Sequence, residues 1–249
     1  MASEPARSRI ADALRRGAAR AYAEARPLPP RYRRAMGMRV RDWLRDYLEE
    51  VEGQRRWMGV PALKNPLDAW VYQEIVCELR PQAVVELGSA YGGSTLFFCH
   101  LLDLLGIEGE VISVDFVHLE SERARFLAEH ERIVKVGGDT RDPEVIEQVR
   151  ARCAGRRTLI VHDASHIGSV VLEDLRNYSP LVTPGSYFIV EDGVADLIRP
   201  RRGGPVNPGP MWAVRRFLRE SDAFEVDLER ERHLITYNPQ GFLRRRQND

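Results

Sequence analysis

Six acids and one histidine stand where an α/β chain could use them for chemistry: Glu86, Asp115, Asp139, Asp163, Glu191 and Asp192, with His166 in the run HDASH. Each acid closes or follows a short apolar run, as in AVVE, VISVD, TLIVHD and YFIVED. Such runs read as buried strands. In an open α/β sheet the carboxyl ends of the strands face one ligand crevice. Carboxylates gathered there repel one another unless cations or hydroxyl-rich ligands neutralise them. Asp163, Glu191 and Asp192 offer three hard oxygen ligands with room for water and substrate, which matches a Mg²⁺-type metal site. A zinc site would need more His or Cys. Adjacent acids at a strand end can also be N-caps, but buried carboxylates are costly without a cation, and metal is the expectation. His166, three residues past Asp163, is a natural general base, and the pair forms the expected catalytic centre.

A second chemistry lies upstream, in AVVELGSAYGGST from Ala83 to Thr95. An apolar strand that ends in glycines and opens a helix can hold an adenosine-type cofactor. The glycines admit the ligand to the backbone, and the helix N-terminus supplies free N–H groups. Glu86, Gly88, Ser89, Gly93 and Ser94 are expected to border that cofactor, together with Asp163 from the crevice. Asp115, about 20 residues past the glycines, fits an acceptor for ribose hydroxyls rather than a helix cap. Asp139, after two glycines, could face the adenine or cap the next helix. Lys64, Tyr72 and Gln73 lie around a polar loop before the first core strand, so they are either cofactor-pocket residues or surface and capping residues. His162 falls inside a strand and reads as packing. His100, His118, His130 and His233 show no partners in the sequence and receive no role.

The elements that position these groups alternate. Strands are expected at 83–87, 110–115, 132–136, 158–162 and 186–190, with helices at about 93–106, 119–130, 143–152 and 168–181 between and after them. That rhythm implies a parallel sheet with helices on both faces and right-handed crossovers. Residues 193–210 hold Gly, Pro, Arg199, Arg201 and Arg202, and read as a long lid loop. A helix at 211–219 follows, then two short strands at 224–228 and 233–237 joined by a tight charged turn, hence an antiparallel hairpin at the edge of the sheet. Upstream, 68–79 and 39–50 show helical apolar spacing. Residues 1–56 are read as an N-terminal helical arm, which makes a homo-oligomer plausible, and 57–249 as the catalytic domain.

Composition narrows the class. The 249 residues carry no formal net charge, so no global field draws the chain to nucleic acid or membrane. Lys64 and Lys135 are the only lysines. Cys77, Cys99 and Cys153 form no CxxC pair, which suits a reducing cytoplasm. No apolar run approaches a membrane span.

Taken together, GVPALKNPLDAWVYQE, VVELGSAYGGST, VISVDF, VHDASH, LVTPGSYFIVEDG, GPMWAVRRFL and ITYNPQGFL resemble the cephalosporin hydroxylase family, which includes rhamnosyl O-methyltransferase-like members. The resemblance runs from about Trp57 to Arg244. It implies a Rossmann-like class I methyltransferase fold with a seven-stranded, mostly parallel sheet, to which the five expected parallel strands and terminal hairpin conform. It also implies S-adenosylmethionine as cofactor, lined by Glu86, Gly88, Ser94 and Asp115, and Mg²⁺ held by Asp163, Glu191 and Asp192, as in the similar macrocin-type sugar O-methyltransferases. The expected reaction is O-methylation of a small-molecule acceptor, a sugar or other natural product. One rival is a nicotinamide-dependent oxidoreductase, but Gly88, Ala90 and Gly93 lack the middle glycine of GxGxxG. The other is a non-catalytic cofactor-binding partner protein, against which the acid–His set argues.

Overall fold

The computed structural model describes residues 37–44, 54–118, 126–198 and 208–247. The chain divides into two units, Met1–Trp43 and Leu44–Asp249. In the first, Trp43 N donates to Arg39 O at 3.0 Å in a helical turn. Residues 45–50 of the expected 39–50 helix lie outside the described residues. The second unit holds the sheet and the cleft.

Its centre is a seven-stranded sheet. The parallel strands are β1 (Ala83–Leu87), β2 (Glu110–Asp115), β3 (Ile133–Gly137), β4 (Thr158–His162) and β5 (Tyr187–Val190). Two further strands, β6 (Phe224–Val226) and β7 (Phe242–Arg245), are antiparallel to each other, and β7 is antiparallel to β5. The order across the sheet is β3-β2-β1-β4-β5-β7-β6. The order reverses at β1, whose neighbours β2 and β4 leave it in opposite directions, so the crevice opens above the carboxyl ends of β1 and β4.

Helices cover both faces. They are α1 (Pro66–Leu79), α2 (Gly93–Leu104), α3 (Pro143–Cys153), α4 (Gly168–Tyr178), the single turn α5 (Ala195–Ile198) and α6 (Pro210–Phe217). Alternate strand residues feed the two layers. Val84, Leu159, Val161 and Ile189 pack with Val71, Ile75, Phe98 and Leu102 of α1 and α2. Val85, Leu87, Ile160 and Phe188 pack with Val149, Leu175 and Phe217 of α3, α4 and α6. Burial on both sides explains why the parallel strands read as continuous apolar runs. Local signals set the helix ends. Asn65 Oδ1 accepts from Leu67 N at 3.2 Å with Pro66 opening α1, and Asp142 Oδ1 accepts from Glu144 N at 3.0 Å with Pro143 opening α3.

Three sequence expectations change. The antiparallel pair at the sheet edge is present, but its second strand is 242–245 and not 233–237. Segment 227–241 cannot be a strand. It starts with a 3₁₀ turn at Leu228–Glu231, and Leu234 and Gln240 are left-handed, at φ 61° and 62°. Its polar side chains turn inward instead, as described below. Of the helix expected at 119–130, residues 119–125 lie outside the described residues and 126–130 are irregular. The loop before α1 holds a small antiparallel ladder, Arg56–Trp57 against Val60–Pro61, closed by Met58 and Gly59 at φ 48° and 88°.

Candidate active site

The glycine loop is shaped by contacts that only glycine permits. Gly88 has φ 88°, and a Cβ there would lie 2.5 Å from the carbonyl carbon of Asp163, just past the end of β4. A Cβ on Gly93 would lie 2.2 Å from Pro61 O. The first close approach brings the β1 and β4 ends together, and the second seats the 56–61 ladder on the first turn of α2. Asp115, at the end of β2, organises the loop between them. Its Oδ2 accepts from Ser89 N at 2.8 Å and Ala90 N at 2.9 Å. Below, Ser89 Oγ lies 2.5 Å from Ser113 Oγ, which lies 2.7 Å from His118 Nε2. Glu86, fully buried in β1, accepts from Thr95 Oγ1 at 2.5 Å and so ties the strand to α2. Burial pushes its carboxyl up, opposed by Lys64 and the α2 hydroxyls.

Beside the loop lies the acid cluster. Lys64 Nζ donates to Asp163 Oδ2 at 2.7 Å and Glu191 Oε2 at 2.9 Å, and lies 4.0 Å from Glu86 Oε1. Burial alone would lower the Lys64 ammonium, but the three carboxylates outweigh it and hold the group well above the ordinary lysine range. Burial pushes Asp163 and Glu191 up, Lys64 pulls both down, and the Asp192 charge pushes both up again. Glu191 Oε1 and Glu86 Oε1 are buried without a hydrogen-bond partner.

Asp192 follows Glu191 but has φ 58°. Adjacent strand residues point to opposite faces, and this left-handed turn breaks that alternation so that both acids serve the same end of the sheet. Asp192 Oδ2 then meets His166 Nε2 at 2.5 Å. Asp163, His166 and Asp192 each offer one ligand atom, all within 4.8 Å of one another. This set differs from the expected Asp163, Glu191 and Asp192, because Glu191 is drawn toward Lys64.

A cleft of about 260 Å³ joins the two halves. Lys64, Gly88, Ser89, Ser94, Asp115 and Asp163 line it, as do His166 and Asp192. Four expected site residues do not. Glu86 and Gly93 support the loop from beneath, and Glu191 lies behind Lys64. Asp139 is held away by Arg141, which bonds both its oxygens at 2.9 and 2.7 Å. It does not cap the next helix either, because Asp142 does. Of the two alternatives beside Lys64, Tyr72 is buried and Gln73 half-buried, and neither lines the cleft.

Other histidines have partners that the sequence did not reveal. Besides His118, His100 Nδ1 accepts from Trp57 Nε1 at 3.0 Å, and His130 Nε2 lies 2.9 Å from Asp103 Oδ2. His162 packs beneath the sheet with Nε2 2.8 Å from Asp174 Oδ2. Sequence reasoning also missed a buried clamp under the acids. Asp68 on α1 accepts from Thr236 Oγ1 at 2.6 Å and Tyr237 N at 2.8 Å. Asn238 Nδ2 donates to Tyr72 Oη at 2.6 Å, and Asn238 Oδ1 accepts from Asp192 N at 3.2 Å. The signal was the hydrogen-bonding run Thr236–Asn238 directly after the apolar pair Leu234-Ile235. Of the expected lid, 199–207 lies outside the described residues. Its first part is α5, held where Asp196 Oδ2 accepts from Trp212 N at 3.1 Å.

A doubly wound sheet with an antiparallel edge, a glycine loop braced by Asp115 and an acid–His cluster across one cleft define the class I methyltransferase type. The chain belongs to the Rhamnosyl O-methyltransferase/CmcI family, whose model matches residues 49–246. A rhamnosyl O-methyltransferase of Mycobacterium leprae (strain TN) is 35% identical over 199 residues, 76% of this chain and 82% of that protein. The same enzyme of Mycobacterium bovis (strain BCG / Pasteur 1173P2) is 32% identical over 197 residues, 75% of this chain and 76% of that protein. A solved Mg-SAM structure of cmcI superposes with a TM-score of 0.61 at 24% identity, covering 91% of this chain and 99% of that one, a likeness in fold. Among the described residues no helix is long and apolar enough to cross a membrane.

Proposed function

We propose that the protein is an S-adenosylmethionine- and Mg²⁺-dependent O-methyltransferase that methylates a hydroxyl of a sugar or other small natural-product acceptor. Family membership supports the enzyme class, and the rhamnosyl O-methyltransferase relatives support the acceptor class. The observation that carries the reading is the single cleft bordered by both the Asp115-braced glycine loop and the Asp163–His166–Asp192 cluster. The oxidoreductase and non-catalytic readings have no comparable support.

The residues fit the two groups. Carboxylate oxygens are the ligands Mg²⁺ prefers, and the buried Asp163 and Glu191 share the one ammonium of Lys64 while Asp192 stands beside them. Asp163 and Asp192 would hold the ion, with Glu191 beside them. Asp115, Gly88, Ser89 and Ser94 would border the cofactor. When bound, the cofactor supplies a sulfonium methyl and the ion lowers the acceptor hydroxyl's pKa. His166, oriented by Asp192, would take the proton of the acceptor hydroxyl, leaving an oxygen nucleophile for the methyl group the cofactor supplies. The cleft walls fix the line of attack, which is where most of the rate gain in a displacement of this kind arises. The test is methyl transfer to rhamnosylated acceptors in chelator-treated protein, with and without added Mg²⁺. Activity that returns only with Mg²⁺ and is absent from Asp163→Ala supports the reading. Full activity in chelator with Asp163→Ala overturns the metal role.

A further inference from the structure

We propose that Lys64 is the acid cluster's built-in counter-cation, and that a divalent ion enters the site by displacing its ammonium from Asp163 and Glu191. The inference rests on the metal reading above and concerns what the protein's own residues do before the ion arrives.

Lys64 Nζ sits 2.7 Å from Asp163 Oδ2, 2.9 Å from Glu191 Oε2 and 4.0 Å from Glu86 Oε1, with only 8% of the side chain exposed. One cation therefore serves three carboxylates. Within 4.0 Å of it the negative groups outnumber the positive one, which is the imbalance a divalent ion would correct. Asp163 belongs to both groups. It holds Lys64, and it is one of the three residues whose ligand atoms lie within 4.8 Å of one another. A divalent ion on Asp163 and an ammonium on the same carboxylate would repel strongly at this separation.

The two ends of Lys64 differ in freedom. Its backbone leads directly into Asn65, whose side chain caps α1 and bonds Asp68 Oδ2 at 3.1 Å, so the main chain is fixed. Its four-carbon stem is flexible, and the residue already lines the cleft into which the ammonium can withdraw. Lys64 thus keeps the metal-free cluster folded and competes with the ion for the same oxygens.

The chain makes the test clean, because Lys64 and Lys135 are its only lysines. Lys135 serves as an internal control, with its ammonium 4.9 Å from the Phe126 ring centroid. Full-length protein carrying ¹³Cε-lysine is titrated with Mg²⁺, and binding is followed in parallel by calorimetry. The expected result is a Lys64 resonance that moves in step with the calorimetric saturation while Lys135 stays still. Lys64→Met removes the competitor. It should bind Mg²⁺ about tenfold more tightly, with a lower melting temperature in chelator and a larger rise on adding Mg²⁺. Calorimetric binding with an unmoved Lys64 resonance would overturn the displacement while leaving the metal reading intact, as would unchanged or weaker affinity in a folded Lys64→Met. No Mg²⁺ binding at all would overturn both. If Lys64→Met does not fold, the wild-type resonance decides.

Discussion

At the residue scale the proposed chemistry rests on side chains that meet from distant parts of the chain. Asp163, His166, Glu191 and Asp192 were legible in the sequence because each sits at or just past a strand end, and topology sends strand ends to one edge. Their pairing was not. Lys64 reaches Asp163 and Glu191 across 99 and 127 residues, a distance no spacing rule spans. The left-handed backbone of Asp192, which sends it to His166 while Glu191 turns to Lys64, has no signature in the dipeptide Glu-Asp. If His166 is the base proposed above, His166→Gln should lower kcat by about 10²–10³ while leaving S-adenosylhomocysteine affinity within about twofold, because the change removes the proton acceptor and not a cofactor wall. Single-turnover methyl transfer checks the first and calorimetry the second. A variant with unchanged kcat would move the base elsewhere.

At the element scale the glycine loop and the 227–241 segment behave differently. The loop was readable, since a strand, glycines and a helix in that order admit few geometries. Its cost of change is also readable from the structure. Gly88→Ala would place a methyl 2.5 Å from the Asp163 backbone at a φ of 88°. It should destabilise the fold by on the order of 3 kcal/mol and abolish cofactor binding. Urea unfolding measures the first, and a loss under about 1 kcal/mol would show that the β1–β4 approach relaxes easily. The 227–241 segment was misread because HLITY has strand-like composition, whereas Thr236, Tyr237 and Asn238 are used to satisfy Asp68, Tyr72 and Asp192. Burial pushes the Asp68 carboxyl up to about 6, against its hydrogen-bond donors. The native state therefore holds this proton more tightly than the unfolded chain. The stabilisation it gives is fully present below about pH 4 and is lost as pH rises through about 6. Relative to Asp68→Asn, the wild-type protein should lose on the order of 3 kcal/mol between about pH 4 and pH 7. Parallel stability–pH curves for the two proteins would show that Asp68 does not titrate in this range.

At the scale of the whole molecule the strand order β3-β2-β1-β4-β5-β7-β6 puts the glycine loop and the acid cluster on either side of the reversal at β1. The class of fold was legible because five apolar runs alternate with helical segments. The family was legible because several motifs recur in order, and the family match over 49–246 confirms it. The central claim is that the cleft between those halves takes S-adenosylmethionine, and it is tested most directly by calorimetric titration of S-adenosylmethionine and S-adenosylhomocysteine into the full-length protein, with Mg²⁺ and with a chelator. Both should bind with Kd on the order of 1–100 μM, and Asp115→Ala, which frees the Ser89 and Ala90 amides, should weaken both by about tenfold or more. No heat from either compound, with Mg²⁺ present and the protein folded, would contradict it.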